Sequence, residues 1–509
     1  MRPVKAAFLG AFVGTATFAQ QQPLSAIDWL DELVAVPIAQ PAGQPREPDI
    51  ADSAAAPSVD VMPLETASAD AVGLLPSSTT GLPTSLWTVS HTSDLTEALS
   101  RIPAEPLPAL QALYYTLLLT EADAPADAGT STRFLTARVD ALIEFGAIDP
   151  ARALIERAGP QTPALFDTWL DLALLTGDED EACKSLRQAP ALSKSYAARI
   201  YCTARNGDWP TAALTYETAV GLDSLSETDA VLLGLFLDPE MIEVTALPTP
   251  PREMTPLTFR LFEAAGSPYP TNRLPRAFAM ADLRDTAGWR TEIEAAERLS
   301  RTSALPANRL LGLYTDRKPA ASGGVWDRVR AVQALEAALD ANAPDKIANS
   351  LPRAWKLMRS RGLYTSFAQL FANPLRAHEL PPGAQALSFA ITLLSEDYEQ
   401  ARDMLATPDR EQEFLIGLTM GIPDLAKART GQEQAIARGF DASRPGRDQA
   451  ALIRDGKIGE AILRAANQLE RARDGNPRLL ADALATLRFL GLEDTARRAA
   501  LQVLILGKT

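Results

Sequence analysis

The residue types that usually carry catalytic or metal chemistry are scarce in this chain of 509 residues. Its two histidines, His91 and His378, lie far apart and lack the Cys, His or Asp spacing of a zinc site. His91 stands between serines and an aspartate, but sequence neighbours rarely form a hydrolase triad, and Ser93 or Asp94 is better explained as a helix N-cap. His378 is next to a predicted helix end, where the helix dipole favours a cation.

The sequence lacks the complete motifs of a phosphate-binding loop and of an esterase nucleophile. The C-terminal Gly507-Lys508-Thr509 matches the end of a phosphate-binding loop, but Gln502 occupies the position of that loop's first glycine. The Gly-x-Ser-x-Gly pattern of a nucleophile elbow is also missing from the sequence. We therefore predict no catalytic residue, no cofactor and no metal ion, and we expect that the protein is not an enzyme.

The composition favours helices and disfavours nucleic acid as a partner. Hydrophobic residues make up 46% of the chain and aromatic residues only 6%, and its apolar set is dominated by the helix formers Ala and Leu rather than by β-branched residues. The formal net charge is −15. Because nucleic-acid binding needs a basic face, DNA and RNA are not expected partners.

Residues 1–19 are predicted to be a Sec-type signal peptide. A short basic start (MRPVK) precedes an apolar run over residues 6–18, which is too short to span a bilayer comfortably. Thr17-Phe18-Ala19 places small residues beside a cleavage point before Gln20. We expect export to the periplasm, with no membrane span after signal removal; an uncleaved anchor is the alternative.

Residues 20–85 are predicted to be a disordered, acidic, Pro/Ala-rich linker. Between Gln20 and Thr84 there are nine prolines and nine acidic residues, and Arg46 is the only base. Such a composition cannot bury enough apolar surface to form a core. Within this linker, the stretch over residues 72–87 is semi-apolar and is predicted to lie extended on the first helices.

One amphipathic island interrupts the linker at residues 25–34. Ile27, Leu30 and Leu33 would share one face of a short helix capped by Ser25, with Trp29 beside them. This pattern favours a docking motif for a partner protein, formed by Ile27, Trp29, Leu30 and Leu33. A chance apolar cluster, or a segment that packs on its own protein, is the alternative.

From about Leu95 onward the apolar spacing is helical, and three segments share one pattern. A glycine is followed by Ala at the fifth position, a large residue at the ninth and Ala at the twelfth. The residues that define the pattern are Gly146 and Ala151, Gly177 and Ala182, and Gly207, Trp209, Ala212, Tyr216 and Ala219. Each glycine follows a helix predicted over 134–145, 165–175 or 196–204, so the unit is a helical hairpin with a left-handed glycine at its turn.

This spacing resembles the second helix of the tetratricopeptide repeat (TPR), and residues 207–220 match best. Weaker copies begin at Asp397, Gly456 and Gly491. The repeats are shorter than the family's period, and most of the first-helix Trp/Gly/Tyr signature is missing. The resemblance implies an all-α fold, an α-solenoid of TPR-like hairpins at 86–250 and 381–509, separated by an irregular helical region at 251–380.

The two cysteines are candidates for a disulfide. Cys183 is predicted on the second helix of one hairpin and Cys202 on the first helix of the next, with a turn at 190–193 between them. Antiparallel helices would bring both to similar heights, and an exported protein meets oxidising conditions. Two buried free thiols are the alternative.

These features predict a periplasmic scaffold or adaptor that binds proteins of the cell envelope through a helical-repeat groove. Two other interpretations are a glycan-acting envelope enzyme that uses a carboxylate pair, and a purely structural adaptor. A deep pocket with two carboxylates about 5–10 Å apart, one of them desolvated, would favour the enzyme.

Overall fold

The computed structural model describes residues 68–473 and 475–507. These residues are helical, as predicted, and they contain no strand; one isolated bridge pairs Leu75 with Thr120. The predicted signal peptide and the candidate docking residues Ile27, Trp29, Leu30 and Leu33 lie outside the described residues.

The helices of the first half are joined by short turns and by longer connections such as residues 120–132 and 238–255. They are α1 (Ser77–Thr80), α2 (Thr92–Ser100), α3 (Pro108–Leu119), α4 (Arg133–Phe145), α5 (Ile148–Ala158), α6 (Phe166–Thr176), α7 (Asp180–Gln188), α8 (Tyr196–Arg205), α9 (Trp209–Gly221), α10 (Glu227–Leu237) and α11 (Pro256–Ala264).

The second half continues in the same way. Its helices are α12 (Trp289–Ser300), α13 (Ala307–Thr315), α14 (Val325–Asp340), α15 (Pro344–Arg359), α16 (Tyr364–Arg376), α17 (Pro382–Thr392), α18 (Arg410–Thr419), α19 (Gly431–Asp441), α20 (Arg447–Arg454), α21 (Ile458–Ala472), α22 (Pro477–Phe489) and α23 (Glu493–Leu506). Short 3₁₀ helices lie at Ala69–Ala71, Pro190–Leu192, Pro239–Glu243, Thr271–Arg273, Arg276–Leu283 and Tyr398–Asp403.

The predicted hairpins form around the three glycines. Helices α4, α6 and α8 begin and end within one residue of their predicted bounds. Gly146, Gly177 and Gly207 end them with φ of 77°, 87° and 88°. Because their small alanines (Ala151, Ala182, Ala212) are fully buried, the two helices of each hairpin approach closely. Each helix from α4 to α11 packs on the next one along the chain.

The weak copy at Asp397 differs from the expectation. Its second helix is only the 3₁₀ turn Tyr398–Asp403. Pro408 follows soon after, and a proline disfavours the helical conformation of the residue before it, so the helix ends early. The copies at Gly456 and Gly491 do lead into α-helices, namely α21 and α23.

The cysteine prediction is confirmed. Cys183 on α7 and Cys202 on α8 form a disulfide, and the predicted turn between them is the 3₁₀ helix Pro190–Leu192. The disulfide therefore fastens the second hairpin to the third.

Residues 68–85, which the composition placed in the linker, belong to the folded body. Asp70 is fully buried and its Oδ1 accepts a hydrogen bond from the N–H of Leu135 at 2.8 Å. The buried guanidinium of Arg138 donates to the carbonyl of Val72 at 2.7 Å. The linker boundary at 85 is thus corrected, because two buried polar residues compensate for the low hydrophobicity of this segment.

Residues 72–76 lie extended along the end of α3, as expected, but Ser77–Thr80 form the short helix α1 instead of continuing the extended stretch predicted over 72–87. The N–H groups of Leu74 and Leu75 both donate to the carbonyl of Leu119, at 2.7 and 2.9 Å. Gly73 lies so close to the backbone of Thr120 and Glu121 that a Cβ there would overlap it.

The N-terminus of α2 is capped differently from the expectation. Neither Ser93 nor Asp94 is the cap residue; Asp127 reaches across instead. Its Oδ1 accepts hydrogen bonds from Thr92 N at 2.7 Å and Thr92 Oγ1 at 2.8 Å, and its Oδ2 lies 3.8 Å from His91 Nδ1. The cap is supplied by tertiary structure, which the local sequence does not reveal.

The C-terminal helices pack on the N-terminal ones. Helix α2 contacts α21, and α3 contacts α23. Tyr114 donates to Asn467 Oδ1 at 2.7 Å, and the N–H of Ala109 donates to Gln502 Oε1 at 2.9 Å. Repeats of an open solenoid contact only their neighbours, so these long-range contacts are an addition to that arrangement.

Candidate functional site

Helix α9 is the most exposed helix of the three hairpins. Only Ala212 and Ala219 are buried among its residues, and they form the face that packs on α8 and α10. Asp208 begins the helix by accepting a hydrogen bond from Thr211 N at 3.2 Å. The small inner side chains fix the helix closely, and the outer face is left to the solvent.

Aromatic rings hold the start of α9 against the end of α10. Phe236 stacks on Tyr201 at a centroid distance of 5.2 Å, and Trp209 lies 5.8 Å from Phe236. Further along, the hydroxyl of Tyr216 donates to the carbonyl of Ala230 at 3.0 Å. Trp209 is thus fixed on one side while 46% of it is exposed.

Exposed apolar side chains are concentrated in residues 209–247, and we call the solvent-exposed side of this stretch the 209–247 surface. It contains seven of the twelve exposed large apolar side chains in the described part of the chain: Trp209, Leu214, Val220, Leu222, Met241, Val244 and Leu247. Leu214 is 70% exposed and Val244 is 75% exposed. Apolar side chains clustered in this way typically mark an interaction site.

Both parts of the 209–247 surface are supported by α10. Helix α9 packs on α10, and so does the 3₁₀ helix Pro239–Glu243. Because Trp209 lies beside Phe236 near the end of α10, the chain that continues to Met241 and Val244 leaves α10 next to the start of α9.

The charge of the surface has one sign. Residues 206–251 contain no Lys or Arg, and they contain eight acidic residues, namely Asp208, Glu217, Asp223, Glu227, Asp229, Asp238, Glu240 and Glu243. All except Asp229 are exposed. None of the eight forms an ion pair within the described residues. These carboxylates therefore have no described Lys or Arg at ion-pair distance, and the bases that border the range in sequence are Arg205 and Arg252.

The sequence prediction located this surface only in part. Of the repeat residues predicted at this hairpin, only Trp209 belongs to the surface. Ala212 and Ala219 are buried on the inner face of α9, and Tyr216 donates to the carbonyl of Ala230. Leu214, Met241 and Val244 were not predicted, because periodicity alone cannot distinguish an exposed apolar position from a core position. The absence of bases from residues 206–251 is the sequence signal that could have indicated the surface.

The carboxylate-pair alternative needs two acidic side chains in one cavity, and more than one cavity of the described residues has them. Asp140 and Glu144 line one of about 370 Å³, where burial raises the pKa of Asp140. A cavity of about 420 Å³ is lined by Glu263, Asp282 and Glu294, together with Tyr269. Burial raises the pKa of Glu263 and of Asp282. Asp282 accepts a hydrogen bond from Thr271 Oγ1.

Glu263 in this cavity is already bound by two arginines. Nη2 of Arg284 donates to both of its carboxylate oxygens, at 2.6 and 2.8 Å, and Arg260 Nη1 lies 3.0 Å from Oε2. Glu294 pairs with Arg290 at 2.9 Å. Asp282 is thus the cavity's carboxylate without an arginine partner at salt-bridge distance.

Two fully buried carboxylates elsewhere have similar surroundings of tyrosine and arginine. Oε1 of Glu179 accepts from Tyr201 at 2.9 Å and from Arg260 at 3.2 Å. Glu297 accepts two hydrogen bonds from Arg328, at 2.7 and 2.6 Å, and a third from Tyr314 at 2.8 Å. The Glu179 contacts join the start of α7 to α8 and α11, and the Glu297 contacts join α12 to α13 and α14. Both carboxylates therefore have a role in packing.

His378 lies beyond the end of α16, as expected, where it lines a cavity of about 750 Å³ with Arg376, Glu379 and Asp403. Within the described residues, no group of three or more His, Cys, Asp or Glu side chains could hold a metal ion. None of the helices described is long and apolar enough to cross a membrane.

Comparisons with family models, with curated proteins and with solved structures found no match to the chain.

Proposed function

We propose that the protein is an exported, periplasmic scaffold of TPR-like hairpins that binds protein partners of the cell envelope and does not act by catalysis. The observation that carries this proposal is the 209–247 surface. Burying an exposed Leu, Val or Trp side chain against a partner gains about 1.5–3 kcal/mol each. Seven such side chains on one rigid support could supply a specific contact.

The charge of the surface favours a protein over the other macromolecules of an envelope. Nucleic acids and anionic lipid headgroups carry negative charge, and eight acidic residues in 206–251 would repel both. A protein segment can carry apolar and basic groups together, and so it can complement both the exposed apolar side chains and the negative charge of the surface.

Export is supported by two separate observations. The first residues have the basic, apolar and small-residue order of a signal peptide. The Cys183–Cys202 disulfide is typical of proteins that fold in an oxidising compartment. The amphipathic island at residues 25–34 is proposed as a second docking element, which would raise the effective concentration of a shared partner.

The proposal is tested by in-cell cross-linking and affinity purification of the tagged protein. The wild type is compared with Leu214→Gln/Val244→Gln, with a variant lacking residues 25–34, and with Ile422→Gln. Ile422 is a matched control because it is 69% exposed and lies outside the surface. A reproducible set of envelope proteins, depleted in the double variant and retained in the control, supports the proposal. The absence of specific partners from every sample contradicts it.

A second candidate function rests on the Asp282 cavity. Since burial raises the pKa of Asp282, its carboxyl could donate a proton to a glycosidic oxygen while Glu294 acts on the other side. The test is hydrolysis of envelope glycans by the wild type and by Asp282→Asn. Activity lost in that variant would favour the enzyme, and equal product from both proteins would exclude this cavity as its site.

A further inference from the structure

The turns of the first two hairpins are covered by arginines from a later part of the chain. The 3₁₀ helix Arg276–Leu283 packs across α4 and α6. A Cβ built on Gly146 would lie 3.0 Å from Cγ of Arg276, and one built on Gly177 would lie 3.2 Å from Cδ of Arg284. Glycine is thus required at both turns for the approach of an arginine stem.

The covering segment has a distinct chemistry. Between its two arginines, residues 277–281 (AFAMA) are all buried. Arg276 donates to the carbonyls of Glu144, at 3.1 Å, and Ala104, at 2.8 Å. It therefore adds positive charge at the C-terminal end of α4, where a helix dipole favours it. The protein covers these hairpin turns with an apolar segment flanked by bases.

Within the described residues, the third hairpin has the same turn without such a cover. A Cβ built on Gly207 would meet no atom within 4 Å. After Arg284 the chain turns at Asp285, which has a φ of 60°, and enters α12. The nearest base in sequence, Arg205, is engaged elsewhere, because its Nε pairs with Asp180 at 3.0 Å.

We infer that the partner segment on the 209–247 surface is a basic amphipathic one, which places apolar side chains on this surface and a Lys or Arg near Gly207. The inference rests on the proposed function and adds the chemistry of the partner. Two independent observations carry it: the intramolecular example at Gly146 and Gly177, and the eight acidic residues of 206–251 without a single base.

A second copy of this chain fits the surface less well. In an isologous contact the same patch lies on both subunits, so both copies would bring their acidic residues to one interface. Like charges across an interface cost several kcal/mol. An anionic membrane meets the same repulsion.

The experiment uses a fluorescein-labelled amphipathic peptide about four turns long, with Leu on one face and Lys and Arg on the other. Its control peptide has Glu in place of every Lys and Arg. Fluorescence anisotropy gives the Kd of each peptide for the full mature chain at low and at physiological ionic strength. The protein variants are Leu214→Gln/Val244→Gln, the charge-neutralising Asp238→Asn/Glu240→Gln/Glu243→Gln, and the control Ile422→Gln.

The basic peptide is expected to bind the wild type, with a Kd that rises with salt. The double variant should weaken binding about tenfold or more, since two apolar contacts are lost. The charge-neutralising variant should weaken it about threefold and reduce the salt dependence. Ile422→Gln should bind as the wild type does.

Several results would overturn the inference. The first is that the Glu control peptide binds the wild type as tightly as the basic peptide does. The second is that the basic peptide binds the wild type and the double variant equally, and the third is that the basic peptide does not bind the wild type. The inference would also be overturned if the wild type formed a dimer in light scattering, or cosedimented with phosphatidylglycerol vesicles, and the double variant did neither. The proposed function is tested separately by the cross-linking in cells. If envelope proteins are cross-linked through this surface but have no basic segments, the proposed function stands and this inference fails.

Discussion

The hairpins α4–α5 and α6–α7 differ from the hairpin α8–α9 in what lies on their turns. All three share the glycine, the buried alanine and the left-handed turn. The chain covers the first two turns with Arg276 and Arg284 but leaves Gly207 open. The comparison shows that one local sequence pattern can be covered or left exposed, and that distant parts of the chain decide which.

Among the variants that test this comparison, removal of the disulfide is expected to change stability most, because the disulfide fastens the third hairpin to the covered second one. Replacing both cysteines by serine should lower the free energy of unfolding by about 3 kcal/mol, as expected for a closed loop of this size. Urea unfolding measures the loss. Hydrogen exchange should rise in α8–α10 more than in α4–α7. Equal increases in both would contradict the expectation that the third hairpin depends on the disulfide more than the covered hairpins do.

Alanine at the turn glycines tests the difference in cover directly. Both Gly146→Ala and Gly207→Ala impose a left-handed φ on alanine, which costs about 1–2 kcal/mol. In Gly146→Ala the new Cβ would also lie 2.7 Å from Cδ2 of Leu299, and such overpacking adds about 1–3 kcal/mol. We expect Gly146→Ala to be the less stable variant by about 2 kcal/mol in urea titrations. Equal midpoints would show that the cover over Gly146 is not tightly packed.

The covered second hairpin should also respond to pH through Asp171 on α6. Burial, and next the charge of Asp167, raise the pKa of Asp171 to about 7. A carboxyl whose pKa is raised in the folded state destabilises the fold as the pH rises from about 4 to 7. Three pKa units correspond to about 4 kcal/mol, and we expect about half because Asp171 is only partly buried and is screened by solvent.

The control for this pH effect is Asp171→Asn. This variant should be more stable than the wild type at pH 8 by about 2 kcal/mol, and the two should converge near pH 4. Thermal unfolding at several pH values provides the measurement. Parallel curves for both proteins would exclude the effect.

The smallest effect on stability is expected at the exposed surface itself. Leu214→Gln should change the free energy of unfolding by less than about 0.5 kcal/mol, since the side chain is exposed and Gln forms helices well. Calorimetry measures this. A loss above about 2 kcal/mol would mean that Leu214 contributes to packing and would weaken its assignment to binding.

The local features of the fold could be predicted from the sequence. The helix bounds of α4, α6 and α8, the turn glycines and the Cys183–Cys202 pair all depend on short-range spacing. The contact of Tyr114 with Asn467 and the position of Arg276 over Gly146 could not be predicted, because they depend on packing between distant segments. For the same reason residues 68–85 were assigned to the linker: the partners of Asp70 are provided by α4.

The surface was predictable only in its charge. The absence of bases from residues 206–251 is visible in the sequence. The exposure of Leu214 and Val244 is not, because an apolar residue at helical spacing is usually part of a core. It becomes apparent only in the structure, where no later segment of the described residues covers the outer face of α9.

Site-specific photo-cross-linking tests the central claim most directly. A photoreactive phenylalanine analogue is placed at Leu214 and, as a control, at Ile422, which has nearly the same exposure. The cross-linked partner peptides are then mapped in cells by mass spectrometry. We predict that position 214 captures protein segments with apolar side chains flanked by Lys or Arg, and that position 422 does not. If position 214 captures only the proteins that position 422 also captures, the claim that the uncovered third hairpin is a docking site is contradicted.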